Sequence, residues 1–146
     1  MRMKIVKTIL VAILVSGCTA TTPPVANALD FGPETLTLIN SYRVSRGLSP
    51  LTAHSTLRTL ARRHSQYQSA RNTMSHDGFR QRSAKAKASG LSLVCTENVG
   101  HNYRNAQHLF SGWRNSAAHR TNLLRPNMGY AGVSVVGDFA TFFACK

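Results

Sequence analysis

The chain has 146 residues and carries 18 Lys and Arg against 5 Asp and Glu, a formal net charge of +13. This length allows one ordinary domain, which excludes a multidomain enzyme and a polytopic membrane protein. The hydrophobic fraction of 42% suffices for a packed core, so a wholly disordered chain is also excluded. Three cysteines, Cys18, Cys95 and Cys145, are too few for a large disulfide scaffold.

The first residues have the pattern of an export signal. Basic residues precede an apolar run over 9–15 that is too short to span a bilayer comfortably. The following Val15-Ser16-Gly17-Cys18 resembles a bacterial lipobox, which predicts cleavage before Cys18 and lipidation of that cysteine. Two alternatives are an ordinary signal peptide cut after the A-x-A sequence at 26–28 and an uncleaved membrane anchor.

The chain therefore divides into three predicted parts. Residues 1–17 are a lipoprotein signal peptide, 18–30 are the lipidated cysteine with a flexible tether, and 31–146 are the folded domain. In a Gram-negative cell the lack of Asp after Cys18 favours the outer membrane. We thus expect a lipid-anchored protein of the cell envelope that faces the periplasm. We also expect a monomer.

Export also changes the charge and the cysteine chemistry. Residues 1–17 hold three basic and no acidic residues, so the mature chain has twelve Arg and three Lys against five acids. The remaining pair, Cys95 and Cys145, leaves the cytosol, and a disulfide is the simple expectation. It would close a loop of about 50 residues, for which the chain-entropy model gives roughly 4 kcal/mol. Two buried free thiols are the alternative.

Helices predominate in the first part of the domain. A proline and an acid near residue 33, followed by apolar residues at helical spacing, predict a first helix that ends at Gly47. A second begins at Thr52 or Ser55, and its apolar stripe includes His64 and Gln68. Shorter helices are predicted over 79–89, 106–113 and 116–124.

Strands follow the helices. The segment 93–100 reads as extended, and two antiparallel strands are expected on either side of Gly137-Asp138, which suits a two-residue hairpin turn. Ser116 is a candidate N-cap for the last of the predicted helices.

Helices come first in the chain and strands last. This order predicts an α+β fold rather than a wound parallel sheet.

Three polar residues stand out as candidates for chemistry. His76 and His119 each lie in a stretch of small and polar residues, and Glu97 is one of only five acids in a strongly basic chain. His64 lies on an apolar stripe and is expected in the core or at a cleft edge. The remaining histidines carry no signature, and two of them, His54 and His108, are expected to face solvent.

These three residues support two kinds of site. Two His and one carboxylate can form a three-ligand divalent metal site, with Zn²⁺ as a candidate, or a metal-free acid/base set. The local pattern does not decide between them. The H-E-x-x-H and G-x-S-x-G signatures are absent from the sequence.

Several motifs in order resemble the CAP superfamily, the SCP/PR-1-like group of cysteine-rich secretory proteins, antigen 5 and pathogenesis-related proteins. The resemblance covers about residues 34–146. It rests on L-I-N-S-Y-R at 38–43, M-S-H at 74–76, E-N-V at 97–99, the W-x-x-S-x-x-H-R-x-N-L-L block at 113–124 and G-V-S-V at 132–135.

The resemblance implies an α-β-α sandwich with a broad cleft that holds two His and up to two acids, with zinc bound in some members. Carried over by position, the cleft residues are His76, His119 and Glu97, with Asn98 and Ser116 lining it. Ser116 stands where many eukaryotic members have the second acid. The glycine that usually precedes the motif glutamate is Thr96 here, a smaller departure.

The family has no single activity, so three functions are carried forward. The first is an envelope protein that binds or acts on peptidoglycan, whose peptide carboxylates Arg can hold. In an enzymatic version, lytic or hydrolytic on the glycan strand, Glu97 is the general acid/base and His76 and His119 assist it or bind metal.

The other two functions are non-enzymatic. One is a module that binds lipid or anionic glycan through its basic surface. The other is a protein-interaction domain of the envelope. The export signal and the scattered arginines argue against nucleic acid as a partner.

Overall fold

A computed structural model describes residues 29–146. The predicted signal peptide, the lipidation at Cys18 and all but the last two residues of the tether lie outside the described residues. In the described part, no helix is long and apolar enough to cross a membrane. The elements in chain order are α1 Gly32–Ser45, β1 Thr52–Ala53, α2 Ser55–Arg71, α3 Phe79–Ala88, β2 Cys95–His101, α4 Ala106–Asn115, α5 Ala117–Leu123, β3 Tyr130–Val136 and β4 Phe139–Cys145.

The four strands form one sheet in the order β1-β3-β4-β2. The predicted hairpin is confirmed, because β3 and β4 pair antiparallel on either side of Gly137 and Asp138. β2 also pairs antiparallel with β4, whereas the two-residue β1 runs parallel to β3. No strand was predicted at β1, because two residues are too few for an alternating pattern to show.

Helices cover both faces of the sheet. One core cluster joins α1, α4 and α5 to one face through residues such as Trp113 and Phe142. The second joins α2 and α3 to the opposite face through residues such as Leu57 and Phe143. Phe142 and Phe143 are consecutive in β4 and point to opposite faces, which explains why every residue of this strand is buried. The predicted α-β-α sandwich is confirmed.

Two glycines allow the helices to approach β3 closely. A Cβ atom on Gly132 of β3 would overlap the backbone of Leu57 and Arg58 in α2. A Cβ on Gly32 of α1 would overlap the carbonyl group of Val133. The two helical layers therefore contact the backbone of this strand where side chains are missing.

Asp30, the last residue of the predicted tether, is hydrogen-bonded to the fold. The carboxylate of Asp30 accepts hydrogen bonds from Ser134 Oγ at 2.8 Å, from the backbone N–H of Val135 at 2.8 Å and from that of Gly32 at 3.0 Å. Asp30 thus joins the start of α1 to the end of β3 rather than ending a free tether.

The predicted disulfide joins Cys95 and Cys145, whose Cα atoms lie 4.1 Å apart in paired positions of β2 and β4. It closes the 50-residue separation considered above. The sheet, both core clusters and the disulfide all lie within residues 30–146. This segment has its own core and constitutes a complete folding unit.

We expect Gly132→Ala to destabilise the domain by about 1–3 kcal/mol or more, since backbone atoms of α2 must move to admit the methyl group. Gly129→Ala is the matched control, because a Cβ there meets nothing within 4 Å. Urea unfolding measures the difference in the free energy of unfolding between the two variants. Equal stability of the two variants would contradict the close approach of α2 to β3.

Candidate functional site

The site is built around the carboxylate of Glu97 in β2, which is 5% exposed. Arg82 of α3 binds it in a bidentate manner, with Nε 2.7 Å from Oε2 and Nη2 2.8 Å from Oε1. Arg82 is itself buried. A buried carboxylate requires a counter-charge and hydrogen-bond donors, and the planar guanidinium supplies both.

Arg82 was not among the predicted site residues, although the sequence contains a signal for it. The inward face of α3 carries Phe79, Ser83 and Ala86, and Arg82 occupies the i+3 position of the same face. An arginine on a helix face of otherwise apolar or small residues predicts a buried carboxylate partner. In a chain with five acids, Glu97 was one of few possible partners.

His76 is the exposed member of the cluster. Its Nδ1 atom lies 2.9 Å from Oε1 of Glu97, while 57% of its side chain is exposed. Since a carboxylate only accepts, Nδ1 carries the proton and donates a hydrogen bond to Glu97. In the neutral ring the lone pair is then on Nε2, and that nitrogen is the one available to a ligand.

Buried side chains hold the loop on both sides of this imidazole. His64 Nε2 lies 2.6 Å from the carbonyl oxygen of Ser75, and the backbone N–H of Ser75 donates to Gln68 Oε1 at 3.2 Å. On the other side, Arg82 Nη1 donates to the carbonyl oxygen of Asp77 at 2.7 Å. Together with the hydrogen bond from His76 to Glu97, these bonds make four contacts on the consecutive residues 75–77, and they position the exposed imidazole.

The contacts of His64 define its protonation state. Arg82 Nη1 lies 3.0 Å from Nδ1, which must accept because a guanidinium only donates. Nε2 then carries the proton and donates to the carbonyl of Ser75. Burial, the largest effect, lowers the pKa of His64 and favours this neutral form. His64 is buried, within the core or cleft edge expected for it.

His119 reaches the site on α5, which asparagines attach to β2. Asn98 Nδ2 donates to the carbonyl oxygen of His119 at 3.0 Å. Asn122 Nδ2 donates to Asn98 Oδ1 at 2.9 Å and to the carbonyl oxygen of Glu97 at 3.0 Å. Burial lowers the pKa of His119, and the nearby charge of His76 lowers it further.

The two residues predicted to line the cleft, Asn98 and Ser116, differ in their exposure. Asn98 is fully buried, and its amide is used by α5, so it supports the site from beneath and does not present its side chain to a ligand. Ser116 is half-buried at the N-cap position of α5, but its side chain makes no capping hydrogen bond. Ser116 is therefore the N-cap residue of α5, as predicted, through its backbone geometry and without a hydrogen bond from its side chain.

The donor set fits a metal poorly. Within residues 29–146 there is no group of three or more His, Cys, Asp or Glu that could hold a metal ion. Both oxygens of Glu97 accept from Arg82, and His76 uses Nδ1 on the same carboxylate. Two imidazoles, those of His76 and His119, remain as donors, fewer than the three protein ligands usual at catalytic zinc. A Zn²⁺ or other divalent ion at these histidines stays a prediction.

Comparison with known proteins agrees with the fold. The model of the cysteine-rich secretory protein family, CAP, matches residues 36–146. The uncharacterized protein YkwD of Bacillus subtilis strain 168 is 29% identical over 119 residues, which are 80% of this chain and 46% of the relative. The chain thus spans about half the length of that relative.

Three of the solved structures with similar folds come from bacteria. An extracellular protein of Bacillus anthracis that contains an SCP domain is 26% identical, with a TM-score of 0.73 over 79% of this chain and 40% of that one. A cysteine-rich secretory protein of Staphylococcus aureus has a TM-score of 0.68 at 23% identity, covering 84% and 40%. An outer surface protein of Borrelia burgdorferi has a TM-score of 0.70 at 19% identity, covering 78% and 90%.

Replacing Arg82 by Met should destabilise the domain by about 3–5 kcal/mol, because it leaves the Glu97 carboxylate buried without its counter-charge. Arg80→Met, at an exposed position of the same helix, should change the free energy of unfolding by no more than about 0.5 kcal/mol. The double variant Arg82→Met/Glu97→Met should recover part of the loss. Similar effects of the two single substitutions in urea unfolding would contradict the buried ion pair.

The stability of the domain should fall as the pH decreases through about 6.5. The pKa of His64 is lowered from 6.5, mainly by burial, so at this pH the unfolded chain binds more protons than the folded one. Urea unfolding at a series of pH values should show that the free energy of unfolding depends less on pH in His64→Gln than in the original chain. An unchanged slope in His64→Gln, or an equal change in the exposed control His108→Gln, would contradict this assignment.

Proposed function

The chain belongs to the cysteine-rich secretory protein (CAP) family, and from this premise we propose that it is an extracytoplasmic bacterial domain that binds peptidoglycan in the cleft at His76. The relatives support the location. One is described as extracellular and another as an outer surface protein. Peptidoglycan is the polymer that an envelope protein of this kind meets in large amounts.

The observation that carries the proposal is the fixed, exposed imidazole of His76. Its ring is oriented by Glu97 from below and its loop by buried side chains on both sides. A donor or acceptor held in one orientation binds with less loss of side-chain entropy than a free surface histidine. Several buried polar groups that orient one exposed side chain are typical of a binding site.

The charge of the chain suits an anionic polymer. Twelve Arg and three Lys against five acids follow residue 17, and one of those acids is enclosed by Arg82. The stem peptides of peptidoglycan carry carboxylates that arginine can bind in a bidentate manner.

In this proposal, proton transfer to a ligand uses the imidazole of His76 or His119 and not the carboxylate of Glu97. Glu97 is nearly inaccessible, and both of its oxygens accept from protein groups. In this proposal Glu97 orients His76, and the direct acid/base role expected from the sequence stays a prediction. Common glycoside hydrolysis uses two carboxylates on either side of the bond, and the residue at the second position here is Ser116. The geometry therefore favours binding over hydrolysis.

The proposal includes anchoring of the protein through Cys18 in the cell envelope, facing the periplasm in a Gram-negative cell. Its basis is the lipobox-like sequence before Cys18.

The test is sedimentation of the oxidised domain, residues 29–146, with purified sacculi. His76→Ala should weaken binding by up to about tenfold, because it removes a hydrogen bond that Nε2 accepts from a hydroxyl or N–H donor of the polymer. His108→Ala, at an exposed histidine on α4, is the control and should bind like the original domain. Mass spectrometry of the supernatant detects any released muropeptides, with and without chelator.

Three outcomes would change the account. Absence of sedimentation would refute peptidoglycan binding. Equal binding by His76→Ala would place the contact elsewhere on the basic surface, as the lipid or anionic-glycan function predicts. Release of muropeptides that depends on His76 would show an enzyme, and sensitivity to chelator would add a metal.

A further inference from the structure

A cavity of about 280 Å³ lies between α2 and α3 and shares two residues with the candidate site, His64 and Arg82. These two residues and Leu60, which also lines the cavity, are buried. The polar atoms of the shared pair already have partners, since Arg82 Nη1 lies 3.0 Å from His64 Nδ1 and donates to the carbonyl oxygen of Asp77. Recognition of a ligand therefore depends on the exposed residues that line the cavity.

The two helices run antiparallel along this cavity. At one end, Tyr67 Oη donates to Asp77 Oδ2 at 3.1 Å. Toward the other end, α2 is followed backward along the chain and α3 forward, past the contact between the buried imidazole and guanidinium, to Arg63 and Lys85. Both of these residues line the cavity. They are thus on opposite walls, at the end away from Asp77.

The charges along the cavity are separated. Arg63 and Lys85 are exposed, and within residues 29–146 neither side chain forms an ion pair or a hydrogen bond. The carboxylate of Asp77, which accepts from Tyr67, lies at the other end, and the exposed Gln81 of α3 lines the wall between the two ends. Two like charges on opposite walls repel each other, and an anion between them is attracted by both.

We propose that this cavity binds the carboxyl terminus of a peptide, and that the peptide is the stem peptide of peptidoglycan, an assignment that rests on the proposed function. Arg63 and Lys85 bind the terminal carboxylate. Asp77 accepts a hydrogen bond from a peptide N–H of the ligand, and the small side chain of the last residue lies on Leu60. Asp77 directly follows His76, so the rest of the polymer extends from the cavity toward the exposed imidazole.

A peptide terminus uses more of the cavity than an inorganic anion does. Phosphate would bind the two cations but would leave Asp77 without a donor and Leu60 without an apolar contact. A terminal carboxylate that is followed within one residue by a peptide N–H satisfies all of these groups. The volume, which is at the lower end for ligand cavities, also suits the end of a chain better than a long segment.

The test is an NMR titration of the ¹⁵N-labelled oxidised domain, residues 29–146, with diacetyl-L-lysyl-D-alanyl-D-alanine, whose terminal carboxylate is free. The same peptide with a C-terminal amide is the control ligand. We expect the acid to shift the backbone resonances of Arg63, Gln81 and Lys85. The amide should bind about tenfold more weakly or less, because it offers no charge to the two cations.

Two double variants locate the binding. Arg63→Gln/Lys85→Gln should weaken binding of the acid by about tenfold or more, because it removes two charge-assisted hydrogen bonds. Arg80→Gln/Lys87→Gln is the matched control, since it removes the same charge from exposed positions of α3 outside the cavity. The control should bind within about twofold of the original domain, because solvent and salt screen these more distant charges. Circular dichroism of each variant confirms that the fold is retained.

Four results would overturn the inference. They are no binding of the acid, equal binding of the acid and the amide, an equal loss in the two double variants, and binding of inorganic phosphate as tight as that of the acid. None of them depends on sacculi. Sedimentation with sacculi that requires His76 can persist when the peptide does not bind, and the peptide can bind when sacculi do not sediment the domain, so failure of this inference is distinguishable from failure of the proposed function.

Discussion

The buried ion pair between Arg82 and Glu97 is the interaction on which the candidate site depends. It joins α3 to β2, and each partner also binds the loop between α2 and α3: Glu97 through the His76 ring and Arg82 through the carbonyl of Asp77. Removing either charge would leave the other buried without compensation. One pair therefore fixes a helix, an edge strand and the exposed imidazole at once.

The position of β2 has its own supports. The strand is at the edge of the sheet, where free carbonyl groups can pair with other chains. Here Asn122 donates to the carbonyl of Glu97, and the indole of Trp113 donates to that of Val99 at 2.9 Å. The disulfide at Cys95 fixes the beginning of the same strand. The carboxylate is thus held by a strand that is itself closed to further pairing.

The alternation of side chains in β2 explains why a glutamate and an asparagine are neighbours in the motif. Consecutive residues of a strand point to opposite faces. Glu97 points to α3 and its arginine, while Asn98 points to α5 and holds the carbonyl of His119. One residue orients the first histidine and the next positions the helix that carries the second.

Much of this arrangement could be predicted from the sequence. Acids are so few that Glu97 was conspicuous, and helical spacing marked α2 as far as His64 and Gln68. The main omission was Arg82, because a basic chain makes one more arginine look like solvent-facing charge, and only its place on the inward face of α3 distinguishes it. The role of Asp30 and the two-residue β1 depend on distant partners in β3, which no local pattern shows.

The central claim is that buried groups fix His76 in one tautomer with Nε2 free for a ligand. Long-range ¹H–¹⁵N correlation spectra of the histidine rings at about pH 8, where an ordinary imidazole is neutral, test it directly. The account predicts that His76 is protonated on Nδ1 and His64 on Nε2, and that Arg82→Met/Glu97→Met, which removes the acceptor of Nδ1, abolishes the preference of His76. A His76 ring that averages between tautomers like a free imidazole in the original domain would contradict it.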